Sequence, residues 1–263
     1  MRKPFDFTIY PYSKISRLPK YLHGPALVMR NIMTKAPKYH YAFDGMATVH
    51  NFSFLDDPRF KAASQKAISA GGFDYQIYLR LHQAIWCADK AMRLSPKSVF
   101  VELGTGKGYV MSGILGALEF VDSDYANKSM YLFDTYESSS TDFKSEQIAA
   151  LGPNIYYADS FEQVERNFLG YPNVKLVKGK LPATLGTLDN EQISFLHIDL
   201  NAPEIEVECL RNLWNKILPG GVILIDDYAY NGLEYTYTLF NKLAQELGVS
   251  ILTTASGQGV VIK

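Results

Sequence analysis

The chain has 263 residues, of which 47% are hydrophobic and 13% aromatic, enough to bury a full core as one large domain or as one domain with an appendage. A formal net charge of −1 argues against bulk attraction to nucleic acid, and no apolar run reaches the roughly 18 residues of a membrane span. The two cysteines, Cys87 and Cys209, lie far apart among large apolar neighbours, so they read as packing residues and give no redox or zinc motif. The first stretch, MRKPFDFTIYPYSK, lacks the continuous apolar segment of a signal peptide, which makes a cytoplasmic location the expectation. Residues 1 to 43 carry Arg2, Lys3, Lys14, Arg17, Lys20, Arg30, Lys35 and Lys38 against Asp6 alone. With interleaved tyrosines and no sustained periodicity, residues 1–50 read as an irregular basic and aromatic arm or lid.

Residues 58 to 94 read as helical with a break at Gly71-Gly72, and Ile77, Leu81, Ile85, Ala88 and Met92 recur at helical spacing. This segment should pack beside the strand that follows. From Val99 to Gly108 an apolar strand runs into Glu102 and then into Gly104-Thr105-Gly106-Lys107-Gly108. β-Branched and aromatic residues favour a buried strand, and the glycines let the backbone turn sharply and approach a ligand closely. A helix should follow, because Tyr109, Val110, Met111, Ile114, Leu115 and Leu118 sit near helical spacing, and its free N-terminal amides would face the ligand.

The spacing of that turn sorts the cofactors. A dinucleotide fingerprint needs a small residue where Tyr109 stands, and its third glycine would fall one residue later than Gly108. A P-loop needs Ser or Thr after Gly106-Lys107, where Gly108 follows instead. What remains, ExGxGxG, resembles the first motif of class I S-adenosylmethionine (SAM) methyltransferases, whose glycine turn lies against the methionine part of the cofactor. The resemblance implies SAM contacts from Glu102, Gly104, Thr105, Gly106 and Gly108. It also gives Arg80, on the neighbouring helix with Asp74 and His82, a possible partner in the methionine carboxylate, although a salt-bridged helix face explains the arginine equally well.

Beyond the turn, Met130–Asp134, Val174–Gly179, Ile193–Leu200, Val222–Asp226, Ser250–Thr254 and Gly259–Ile262 read as strands. Helical stretches at Glu204–Leu218, closed by Pro219-Gly220-Gly221, and at Tyr235–Leu247 supply the crossovers of a mainly parallel sheet. The fold class is therefore α/β, and seven strands ending in a hairpin match the Rossmann-like class I methyltransferase layout. Helices cover both faces, and the domain should run over residues 98–263 behind a helical extension at 51–97 and the arm.

In an open parallel sheet, ligands sit beyond the carboxyl ends of the strands. Asp134 ends the second strand and could accept from a ribose diol. Asp199 ends FLHIDL, and Asp226 and Asp227 end VILIDDY, so that three carboxylates converge if those strands are neighbours. Converging like charges need a counter-charge, and hard oxygen donors suit magnesium, calcium or manganese better than zinc. LHIDLNAPE, LPGGVILIDDY and KLVKGKLPATL together resemble the TylF-type (macrocin O-methyltransferase-like) enzymes over residues 52–263. Those enzymes methylate sugar hydroxyls of natural products with SAM and magnesium. The resemblance implies metal ligation by Asp199, Asp226 and Asp227. The family commonly carries a second acid two residues past the first ligand, proposed as the general base, where this chain has Asn201, which cannot take a proton usefully. His197, Asp199 and Glu204 are then the candidates for proton removal, although a strand histidine is more often a hydrogen-bonded core residue. The expected acceptor is a small molecule, a sugar or a nucleotide-linked sugar. An RNA or nucleotide methyltransferase, a non-catalytic binding protein and an oligomer arm at the N-terminus remain alternatives.

Overall fold

The computed structural model describes residues 39–121, 128–136 and 161–263. The basic stretch 1–38 of the expected arm falls outside them. Of the described residues, 39–42 and 47–51 form one unit, and 43–46 with 52–263 form the other. Strands β1 (Tyr41–Phe43) and β2 (Met46–Thr48) pair as a hairpin. Its turn is Asp44-Gly45, both at positive φ, as a two-residue type I′ turn requires.

Helix α1 (Pro58–Gly71) starts on Asp57, whose carboxylate accepts the Arg59 amide at 2.7 Å, with Pro58 in the first turn where a missing N–H is harmless. It stops at Gly72, which closes it in the left-handed conformation at φ 73°, so the Gly71-Gly72 break falls where the sequence puts it. Helix α2 (Tyr78–Met92), strand β3 (Val99–Leu103) and helix α3 (Tyr109–Val121) follow. Next come β4 (Met130–Asp134), α4 (Phe161–Phe168), β5 (Val174–Lys178) and β6 (Ile193–Ile198). The chain ends with α5 (Pro203–Leu213), β7 (Ile217–Ile225), α6 (Glu234–Leu247), β8 (Leu252–Thr253) and β9 (Gly259–Ile262).

The sheet has seven strands in the order β5-β4-β3-β6-β7-β9-β8. β5, β4, β3, β6 and β7 pair in parallel, and β9 pairs antiparallel with both β7 and β8. From β3 the chain first builds outward through β4 and β5, then returns to place β6 on β3's other side. That reversal opens a crevice beyond the ends of β3 and β6.

Strand alternation sorts the core into two layers. Phe100, Phe195, Val222 and Leu224 pack with Phe60, Ala67, Leu81 and Ile114 of α1, α2 and α3. Val101, Leu103, Leu196, Ile198 and Ile225 pack with Leu210, Leu213, Phe240 and Leu243 of α5 and α6. The two helical layers flank one sheet, the three-layer α/β architecture that the element order implies.

One boundary differs from the sequence reading. α5 stops at Leu213, and after a short 3-10 turn at Trp214–Lys216 the chain is already strand at Ile217, so Pro219-Gly220-Gly221 lies inside β7 rather than ending a helix. Ile193 pairs with Ile217 and Phe195 with Val222, leaving extra residues on β7 as a bulge. Gly220 takes φ 81° there and gives its amide to the Lys263 carbonyl. Among the described residues, no helix is long and apolar enough to cross a membrane.

Leu81 is fully buried and touches the position a Cβ would occupy on Gly113, so it fills the seam between α2 and α3. Leu81→Ala should lower unfolding stability by about 2–5 kcal/mol. Urea melts should show the midpoint falling with the slope unchanged.

Candidate active site

The glycine turn is shaped by its neighbours as much as by a ligand. At φ 90°, Gly104 lies against the end of β6, where an added Cβ would sit 1.8 Å from the Asp199 carbonyl oxygen. The Gly104 and Thr105 amides are both spent on the Phe133 carbonyl. The Gly106 amide donates to Asp134 Oδ2 at 2.8 Å, and Asp134 Oδ1 accepts the Tyr136 amide at 2.9 Å. The acid expected at the ribose thus braces the turn; Oδ1 also accepts the Thr135 hydroxyl at 3.4 Å, and Oδ2 keeps a lone pair for a further donor. At Gly108, φ 87°, a Cβ would strike the Phe168 ring at 2.6 Å, so this glycine makes room for a side chain of α4.

Behind the turn a column of polar groups crosses the α2 side of the sheet. The β3–β6 register sets Glu102 beside His197. His197 is fully buried, with Nδ1 3.0 Å from Glu102 Oε1 and Nε2 3.8 Å from Asp226 Oδ1, too long for a hydrogen bond. Burial alone would push the imidazole pKa down, but Asp226 and Glu102 on its two sides outweigh that and raise it to about 10. Glu102, equally enclosed, is pushed up by burial against the pull of His197. The expectation of a cofactor contact from Glu102 and a catalytic proton transfer from His197 meets two side chains that face each other inside the protein. Glu102 Oε2, Thr105 Oγ1 and His197 Nε2 are buried with no hydrogen-bond partner among the described residues.

Asp199, Asp226 and Asp227 each offer a carboxylate oxygen within 4.8 Å of the others. Arg80, expected at the methionine carboxylate, has its guanidinium on the protein's own acids. Its Nη1 donates to Asp226 Oδ2 at 2.6 Å and to Asp227 Oδ1 at 3.2 Å, and its Nε donates to Asp44 Oδ2 at 2.9 Å. Gln258 Nε2 donates to the other Asp226 oxygen at 2.6 Å. Burial works against charge on Asp226, but Arg80, His197 and Gln258 hold it well below the usual carboxylate range. Burial and then Asp226 push Asp227 up to about 6. Burial, Asp226 and Asp227 also raise Asp199 well above the ordinary value. Arg80 bonds to three aspartates, Asp44, Asp226 and Asp227, and leaves Asp199 without a donor among the described residues. An all-oxygen donor set with this excess of negative charge fits a hard divalent cation.

The loop after β6 is built without the acid that resembling enzymes carry. Asn201 adopts φ 55°, a left-handed conformation that asparagine tolerates better than most residues. Glu206, one turn into α5, reaches back to accept the Leu200 and Ala202 amides at 3.0 and 3.4 Å. Glu204 is exposed. His82 stacks on Phe54 at 4.1 Å, and Asp74 accepts from the Tyr78 hydroxyl, so neither joins the acids. Sequence reasoning missed Asp44, Glu206 and Gln258. Glu206 alone had a local signal, an acid four residues beyond Ala202, whereas Asp44 and Gln258 are brought in by tertiary folding.

Comparison with known proteins agrees with this geometry. Residues 101–228 match the family described as a methyltransferase domain. Demethyldecarbamoylnovobiocin O-methyltransferase of Streptomyces niveus is 26% identical over 161 residues, spanning 57% of this chain and 60% of that enzyme. The chain therefore matches less than two thirds of that relative's length. The solved structure of the O-methyltransferase NovP aligns with a TM-score of 0.59 at 19% identity, over 81% of this chain and 99% of that one. CalS11, a calicheamicin methyltransferase, aligns at 0.53 and 15% identity over 69% and 77%. At these identities the two structures attest to the fold. The seven-stranded sheet with helices on both faces matches the fold of NovP. A methyltransferase domain accordingly occupies residues 101–228.

Burial pushes the Glu206 carboxyl up to about 7, against the pull of the backbone amides it accepts from. Since 4.5 is the ordinary value, the folded state holds the extra proton between about pH 4.5 and 7, and stability is lost as pH rises through that window. Between pH 5 and pH 8 the native protein should lose about 3 kcal/mol more than Glu206→Gln. Denaturant melts of the two at both pH values measure this, and matching pH profiles would refute it.

Proposed function

We propose that this enzyme transfers the methyl group of SAM to a hydroxyl of a sugar or another small polyhydroxyl compound, with a divalent cation, magnesium among the candidates, held by Asp199, Asp226 and Asp227. The observation that carries the reading is the meeting of those three carboxylates immediately beside the glycine turn. The names of the similar proteins support it, since they include a demethyldecarbamoylnovobiocin O-methyltransferase and CalS11, a TDP-rhamnose 3'-O-methyltransferase of calicheamicin biosynthesis.

SAM supplies a methyl group on a sulfonium, and a bound cation supplies Lewis acidity that makes a hydroxyl easier to ionise. The protein's own part is orientation and proton removal, and positioning alone accounts for about 7–11 kcal/mol of such a barrier. Asp134, braced on Gly106, keeps a lone pair on Oδ2 for a ribose hydroxyl. Asp199 is the carboxylate suited to accept the hydroxyl proton, because, unlike Asp226 and Asp227, it lacks a donor of its own among the described residues. His197 serves better as a support for Asp226 than as a base, since it is fully buried. Glu204, exposed on the surface, stays a weaker candidate.

The acceptor has a natural place beside Asp227. A cleft of about 300 Å³ is lined by Ala229, Tyr230, Asn231, Glu234 and Tyr237. Tyrosine faces with an amide and a carboxylate suit a ring bearing several hydroxyls.

Calorimetry should detect SAM binding by the native protein, and a chelator should remove its activity. Asp199→Asn should lower kcat at least about a hundredfold while leaving SAM affinity within about threefold. Tyr237→Ala should raise KM for the acceptor and leave SAM affinity alone. Full activity in excess chelator would refute the metal, and absence of SAM binding would refute the donor.

A further inference from the structure

Arg80 is 6% exposed, and all three of its recorded carboxylate partners come from distant parts of the chain. The Tyr230 ring lies over its guanidinium, 4.8 Å from Cζ to the ring centroid. An arginine that merely decorated a helix face would reach water with a screened partner or two. This one instead reaches inward from α2 to the acid pair at the end of β7. A single guanidinium nitrogen, Nη1, donates to both Asp226 Oδ2 and Asp227 Oδ1, on the side chains that a divalent cation would share with Asp199. A metal bound there would bring two more positive charges next to a guanidinium that cannot lose its own.

We infer that Arg80 is the site's built-in counter-cation: it holds Asp226 and Asp227 in place while the protein is free of metal, and it competes with a divalent cation for them. The inference rests on reading the three aspartates as a metal site. Two consequences follow from the charges. Removing the guanidinium leaves Asp44, Asp199, Asp226 and Asp227 mutually repelling, so the metal-free protein is destabilised. The same removal strengthens the attraction for a dication, so metal binding tightens.

The test uses full-length protein stripped with EDTA, with Mn2+ as the probe, and compares the native chain with Arg80→Met and Arg80→Lys. Arg80→Met should bind Mn2+ at least about tenfold tighter by calorimetry, melt at a lower temperature in EDTA, and regain its melting temperature in saturating Mn2+. Arg80→Lys keeps the charge and should stay within about threefold of the native affinity. A purely structural arginine would lower stability without tightening Mn2+ binding. Equal or weaker binding by Arg80→Met overturns the inference. So does an Arg80→Met protein that cannot be refolded in Mn2+, because the metal then cannot take the guanidinium's place. The metal-assisted reading can fail separately. If the native protein ignores Mn2+ and works fully in EDTA while Arg80→Met acquires Mn2+ binding, Arg80 has displaced the metal and the inference stands. If neither protein binds Mn2+, the inference falls as well.

Discussion

The contact between Gly104 and the backbone of Asp199 is the constraint from which the site follows. An alanine Cβ at residue 104 would sit 1.8 Å from the Asp199 carbonyl oxygen, far inside any tolerable separation, so only glycine lets β3 turn away while touching the end of β6. The Asp199 amide closes the same junction by donating to the Leu103 carbonyl at 2.8 Å. The cofactor turn and the first acid of the cluster are therefore one piece of backbone geometry. On the proposed reading, a methyl donor on the turn and a hydroxyl near the acid would be brought together by the sheet itself, before any loop contributes.

The sheet's α2 side then faces an electrostatic problem. Glu102, His197, Asp226 and Arg80 are each less than a tenth exposed, and Asp226 and Arg80 lie at the edge of a layer otherwise packed with Phe100, Phe195, Val222 and Leu224. Buried charges of this kind give little net stability, but the loss of one partner leaves the next uncompensated. The chain answers with alternation of sign: a carboxyl, an imidazole, a carboxylate, a guanidinium and then Asp44 at the hairpin turn. The orientation of Asp226 is fixed from two sides, by Arg80 and Gln258, as an active-site ligand requires.

What the sequence disclosed is what depends on neighbours along the chain. The strands at 99–103, 130–134 and 259–262 have the bounds that their apolar runs suggest, the helix break at Gly71-Gly72 is real, and the acids at strand ends converge because parallel strands bring those ends to one edge. The partner of Arg80 was not legible, because nothing local distinguishes an arginine aimed at a ligand from one aimed at three aspartates. Gly108 read as part of a ligand cradle, and the structure adds a packing reason, the Phe168 ring sixty residues on, that the local sequence does not show. Pro219-Gly220-Gly221 read as a helix stop because proline and glycine do end helices, but here they shape a bulge, a role that exists only once β6 and the chain end lie alongside.

Asn201 shows how a missing acid can be absorbed by the fold. Its position is a left-handed turn residue, and the loop around it is tied by Glu206, whose carboxyl takes the Leu200 and Ala202 amides. An acid at residue 201 would add negative charge to a mouth where Asp199 and Asp227 are already pushed above their ordinary range by burial and by one another. Asparagine keeps the turn and adds no charge. On the proposed reading Asp199 would serve as both ligand and proton acceptor, and a bound cation would lower its proton affinity from the metal-free level that burial, Asp226 and Asp227 set.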